Sequence, residues 1–116
     1  GGASYYLPRI IGLRRAQELA FTNRTLTAVE AADWGIVTRV VPDEALLDEA
    51  EAMAQRLARG SASAHAKVKA LLRSSFVNDL EGQLELEGQG IAASSASPDG
   101  QEGIAAFLGK REPLFS

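Results

Sequence analysis

The side chains able to do chemistry are few, and their spacing narrows what they can do. There is no cysteine, so disulfides and thiol nucleophiles are excluded, which fits a reducing compartment. His65 is the single histidine and stands in a Ser/Ala-rich helical start with no partner in reach, so a surface or capping role fits it better than proton transfer. Glu81, Glu85 and Glu87 share a helical stretch and read as a solvated face, and no two carboxylates have the placement that acid/base work requires. Lys110-Arg111 is a basic pair at the end of a helical pattern. It is suited to an anion, although the helix macrodipole alone favours cations there. Phe107 shares an apolar face with Ile104 and Leu108 and reads from pattern alone as a core residue. Tyr5 and Tyr6 follow a glycine pair and suit either a pocket wall or a core. No catalytic residue is expected in this chain.

The elements that must carry these residues are mostly helical. The sharpest signal is Thr27 and Glu30, three apart ahead of an alanine-rich turn. There the hydroxyl can cap the Glu30 amide while the carboxylate returns to the Thr27 amide. That short helix should stop at Gly35, a residue that tolerates the left-handed conformation, with Trp34 packed between helices. A short strand is expected over Ile36 to Val41, where β-branched residues cluster before Pro42. Asp43 is expected to cap a helix from about Glu44 to Arg59, with Leu46, Leu47, Ala50, Met53, Ala54 and Leu57 as its apolar stripe.

Earlier in the chain, Pro8 disfavours helical geometry at Leu7, and an amphipathic helix runs from Leu13 to Phe21. Further on, Gly60-Ser61 is a break. A helix over 62–76 then places Val68, Leu71 and Leu72 inside and Lys67, Lys69 and Arg73 outside. Asp79 can cap a longer helix from Leu80 to Ala92, which Gly82, Gly88 and Gly90 weaken by roughly 1 kcal/mol each relative to alanine. These glycines point to close packing against another helix or subunit. Ser97-Pro98 supplies a cap followed by proline at the first helical position, and the last helix follows, carrying Glu102 to Arg111.

At 116 residues the chain holds one small domain, residues 1–116, and 46% hydrophobic with 23% charged residues is globular rather than disordered composition. Twelve basic against 15 acidic residues, a net charge of −3, exclude the electropositive field of a nucleic-acid binder. No apolar run approaches the roughly 20 residues that span a bilayer, so no membrane partner is expected and the expected location is cytoplasmic.

Three stretches together resemble the enoyl-CoA hydratase/isomerase (crotonase) family. The first is Leu26, Ala28, Ala31, Gly35, Ile36, Val37, Val40, Val41 and Pro42; the second is Leu7-Pro8-Arg9 with Gly12, Ala16, Glu18, Leu19 and Arg24. The third is the terminal signature Asp99, Glu102, Gly103, Phe107, Leu108, Lys110 and Arg111, with Pro113 and Phe115 close behind. The resemblance implies a mostly α chain with one short strand, the C-terminal helical region of a crotonase-like (ClpP/crotonase) α/β spiral fold. It also implies an acyl-CoA enzyme whose thioester enolate is stabilised by two backbone amides preceding Gly1. Phe107 and Lys110 would then contact coenzyme A, the lysine at a phosphate of the nucleotide end. Coenzyme A is part of the substrate, so no separate cofactor is implied, and the expected assembly is a homotrimer or hexamer. The chain opens on Gly1-Gly2 without an initiator Met, so it is expected to be the C-terminal part of a longer protein and inert alone. Gly1 to Arg9 is one residue longer before its Pro-Arg than the form common among hydratases, which leans toward ring-opening isomerases of phenylacetate degradation. The alternative is a non-catalytic helical module that serves only oligomerisation.

Overall fold

The computed structural model describes residues 1–115, and every regular element in them is helical. The helices are α1 (Ala3–Ile11), α2 (Leu13–Thr22), α3 (Ala28–Asp33), α4 (Leu46–Ala58), α5 (Ala62–Ser74), α6 (Leu80–Ser95) and α7 (Pro98–Leu108), with a 3₁₀ turn at Asp43–Ala45 before α4. They divide into two compact units, Gly1–Leu47 and Asp48 onward. None of the described helices is long and apolar enough to cross a membrane.

In the first unit α1 packs on α2, burying Ile11 and Ala16. α1 runs through Pro8, contrary to the expected break at Leu7. Proline withholds only one ladder donor, from the Ser4 carbonyl. The next carbonyl, Tyr5 O, accepts from the Arg9 guanidinium at 2.7 Å, so the interruption stays local.

The capping box forms as the sequence dictates. Thr27 Oγ1 accepts from the Glu30 amide at 3.2 Å, and Glu30 Oε2 accepts from the Thr27 amide at 3.0 Å. At the other end Gly35 takes φ 77, which lets the Ile36 amide reach the Ala31 carbonyl at 2.8 Å and the Gly35 amide reach Ala32 at 2.9 Å. These two bonds are the Schellman ending. The strand expected at Ile36–Val41 does not form. The Ile36 and Val37 amides are turned back onto Ala31, and the described residues hold no extended neighbour to supply a ladder. β-branched residues favour a pleated strand only where another strand pairs with them.

α4 also starts differently from expectation. Pro42 opens the 3₁₀ turn with no side-chain cap, the Ala45 amide bonding to the Pro42 carbonyl at 2.9 Å, so Asp43 is not the cap and regular helix begins at Leu46.

In the second unit α5 packs on α6 and α6 on α7. Ser61, Asp79 and Ser97 cap α5, α6 and α7 through the amides of Ala64, Gly82 and Gly100. Lys67, expected on the wet face, instead donates to Ser94 Oγ at 3.0 Å and ties α5 to α6. Val68 and Leu72, expected inside, are more than half exposed. A Cβ at Gly90 would make only ordinary contact with Leu71 of α5, at 3.8 Å, and Gly88 faces open space, so the close packing expected at these two glycines is not what is found. A closer approach occurs at Gly100, where any Cβ would overlap the Ser94 carbonyl oxygen. The α6–α7 corner therefore requires glycine there.

Candidate functional site

α7 and the six residues after it hold the cations and aromatic residue singled out above. Ala106 is 1% exposed and anchors the inner face of the helix, while Phe107, one residue on, is 83% exposed. The reading of Phe107 as core is therefore wrong for this chain: a helical step of 100° moves its side chain off the packed face.

The helix ends at Leu108, one turn earlier than the basic pair suggests. The Lys110 amide bonds to the Phe107 carbonyl at 3.2 Å and the Arg111 amide to Ala106 at 3.0 Å. This is again a Schellman ending, with Lys110 in the left-handed position at φ 50 and Gly109 just before it in right-handed geometry at φ −79. Lys110 and Arg111 thus lie beyond the final helical turn, and they differ in role. Arg111 grips Glu102 in a two-bond fork, Nη1 to Oε1 at 2.6 Å and Nη2 to Oε2 at 2.9 Å. Glu102 Oε1 also accepts from the Leu114 amide at 2.8 Å, which folds the tail back along α7. The Arg111 hydrogen bonds first, and the Leu114 amide second, hold the Glu102 carboxyl down at about 2. The Lys110 side chain is exposed and makes no hydrogen bond or ion pair with the described residues.

Beyond the turn, Pro113 and Phe115 border an open groove of about 860 Å³ whose opposite wall is α4, with Gln55, Arg56 and Arg59. The arrangement offers an ammonium and an exposed ring three residues apart, and the guanidinium next in sequence is already neutralised. It can hold an anion attached to a flat or apolar group. The described residues hold no cluster of metal-ligating side chains.

The remaining candidates lie elsewhere. Tyr5 and Tyr6 meet edge to face with centroids 5.0 Å apart, the Arg9 guanidinium 3.8 Å above the Tyr5 ring. Neither tyrosine borders the apolar cleft of about 430 Å³ that Leu7, Pro8, Leu13 and Phe21 help to form between α1 and α2. His65 is exposed, as are Glu81, Glu85 and Glu87, with Glu85 accepting from Gln89 at 2.8 Å.

Trp34 is half-buried, with the guanidinium carbons of Arg15 and Arg24 at 4.8 and 5.1 Å from its ring. Arg24 also bonds Glu18 at 2.8 Å and Glu30 at 3.2 Å, which joins α2 to the capping box. Those bonds, the Glu18 hydrogen bond foremost, push the Arg24 guanidinium up. This cluster and the Glu102–Arg111 fork are absent from the sequence reading. Their partners are six and nine residues apart, outside the three- and four-residue spacings by which helical pairs are recognised.

The family model for enoyl-CoA hydratase/isomerase matches residues 1–116. Among curated proteins, 1,2-epoxyphenylacetyl-CoA isomerase of Escherichia coli (strain K12) is 37% identical over 115 residues, 99% of this chain and 44% of that protein. The probable enoyl-CoA hydratase echA8 of Mycobacterium tuberculosis (strain CDC 1551 / Oshkosh) is 40% identical over 115 residues, 99% of this chain and 45% of that protein. A crystal structure of an enoyl-CoA hydratase/isomerase from Mycobacterium abscessus superposes with a TM-score of 0.92 at 37% identity, covering 99% of this chain and 44% of that one. The chain therefore spans less than half the length of the relatives it matches.

Proposed function

The chain belongs to the enoyl-CoA hydratase/isomerase family, and from that premise we propose that it is part of an acyl-CoA-processing enzyme in which Lys110 binds a phosphate of coenzyme A. The observation that supports this reading is the divided basic pair: Arg111 is consumed by Glu102, while Lys110 projects from a fixed turn with no protein partner among the described residues, beside an exposed Phe107. An exposed aromatic face suits the adenine or pantetheine portion of the carrier, and an unpaired ammonium suits its phosphates.

As the family resemblance implies, the reacting thioester carbonyl would be polarised by two backbone amides that precede Gly1. Coenzyme A enters as part of the substrate, and no separate cofactor is called for. The one-residue lengthening before Pro8-Arg9 leans toward the isomerase-like branch, while the relatives themselves include both 1,2-epoxyphenylacetyl-CoA isomerase and probable enoyl-CoA hydratases at similar identity. We place the enzyme in the cytoplasm as a homotrimer or hexamer. The exposed apolar faces of α2, α4 and α6 support assembly, which is also the whole content of the alternative reading, a helical oligomerisation module.

Lys110→Ala in the full-length protein tests the phosphate contact. A phosphate far from the reacting carbonyl is bound equally in ground and transition states, so the contact lowers KM without raising kcat. Losing a charge-assisted hydrogen bond should raise KM for the coenzyme A thioester by about five- to hundredfold. A thioester whose carrier lacks the nucleotide phosphates should not respond. An unchanged KM for the coenzyme A thioester would leave Lys110 as a helix-end charge, whereas a full-length protein that turns over no coenzyme A thioester would favour the assembly module.

A further inference from the structure

The turn that presents Lys110 is not the one its local sequence favours. Glycine is the residue that most readily takes the left-handed position closing a Schellman ending, and Gly109 stands one place before Lys110. A turn closed on Gly109 would shift the helix end by one residue and carry Lys110 to the following position. In the structure the register is the other one: Gly109 stays right-handed at φ −79 and Lys110 accepts φ 50.

What differs between the registers is where the next residue falls. Only when Lys110 closes the turn does the Arg111 amide meet Ala106 at 3.0 Å, and in that register its guanidinium reaches both oxygens of Glu102 at 2.6 and 2.9 Å. Arg111 Nη1 also donates to the Glu112 carbonyl at 3.1 Å, and Glu102 holds the Leu114 amide at 2.8 Å, so the chain is fixed on both sides of Arg111.

We infer that Glu102 and Arg111 are positioning residues for Lys110: their two-bond fork selects the helix ending in which Lys110, rather than Gly109, takes the left-handed position and aims its ammonium at the anion. This rests on the reading of Lys110 as the phosphate ligand. A long, flexible lysine gains affinity when its origin is fixed, because less freedom is lost on binding.

The test uses the full-length enzyme. Glu102→Gln keeps the shape and weakens the fork. It should raise KM for the coenzyme A thioester by about two- to tenfold, the range that freeing one rotamer-rich side chain corresponds to. The kcat, and KM for a thioester whose carrier lacks the nucleotide phosphates, should stay at their original values. Arg111→Lys, which cannot form the fork, should do the same and serves if Glu102→Gln folds poorly. In a Lys110→Ala background neither change should raise KM further, since both act through the lysine. Adding Gly109→Ala to Glu102→Gln should bring KM back, because it disfavours the competing ending. If Lys110→Ala raises KM while Glu102→Gln and Arg111→Lys do not, or if their effects add to it, or if Gly109→Ala restores nothing, the positioning role is overturned and the phosphate contact stands. If Lys110→Ala itself leaves KM unchanged, both readings fall.

Discussion

Lys110 at φ 50 carries a conformational cost that a glycine would not, of about 1 kcal/mol for an L-residue in left-handed geometry. Lys110→Gly is therefore expected to leave the protein more stable than Lys110→Ala by about 1 kcal/mol, measured as a difference in denaturant midpoint, although both lose the ammonium. Gly35 gives the converse case. Its φ of 77 closes α3, and Gly35→Ala should destabilise by about 1–2 kcal/mol. A pH dependence also belongs to single residues. The folded-state Glu102 carboxyl titrates at about 2 against an ordinary 4.5, chiefly through Arg111, so the unfolded chain takes up the proton first. The stabilisation is fully present above the ordinary value and drains away as pH falls toward 2. Glu30, lowered by the Thr27 amide, adds in the same direction. The Tm difference between the wild type and Glu102→Gln should be constant above pH 5 and shrink across that acid window. A difference that grew on acidification would contradict the ion pair.

At the scale of elements, two glycines should behave oppositely although both lie inside helices. Gly88 faces open space, so Gly88→Ala removes backbone freedom from the unfolded chain at no steric cost and should stabilise by about 0.5–1 kcal/mol. Gly100 sits against the Ser94 carbonyl, and Gly100→Ala must push α7 off α6 or distort its first turn. A loss of at least about 1–3 kcal/mol is expected, as for other overpacked sites. Equilibrium urea unfolding of the two variants checks both signs. Thr27→Ala should cost about 1 kcal/mol through the lost cap. It should also loosen Arg24, whose second carboxylate partner, Glu30, is the other half of the capping box.

For the whole molecule the telling fact is how little is buried. Among the described apolar residues only Ile11, Ala16 and Ala106 are buried, while Phe21, Leu47, Leu80, Phe107 and Leu114 are all at least 73% exposed. Apolar surface on that scale marks interfaces. The chain produced alone is expected to bind hydrophobic dyes and to associate with rising concentration in light scattering. A monodisperse monomer that binds no dye would show that these faces need no cover. The relatives it matches are more than twice as long, so its assembly and activity are properties to be measured on the full-length protein.

Most helices, and those of their ends that carry a cap, were determined by sequence, because such signals act within about four residues; the run of α1 through Pro8, the start of α4 and the end of α7 were not. Thr27 with Glu30, Asp79 with Gly82, Ser97 with Pro98 and Gly35 after Trp34 each settle their local geometry almost independently of the rest of the chain. The family too is written in such runs, which is why Phe107 and Lys110 are legible as candidates. The strand misread at Ile36–Val41 marks the limit, since residue type favours extension but a strand exists only where a partner completes its hydrogen bonds. The same limit hides the side-chain ties within each unit. Arg24 reaches Glu18 and Glu30 across turns on either side, Lys67 reaches Ser94 on the next helix, and Arg111 reaches back nine residues to Glu102. No sequence spacing encodes those contacts. They depend on the direction in which each turn sends the chain, and a single residue's difference in where α7 stops decides whether Lys110 or Gly109 closes the helix.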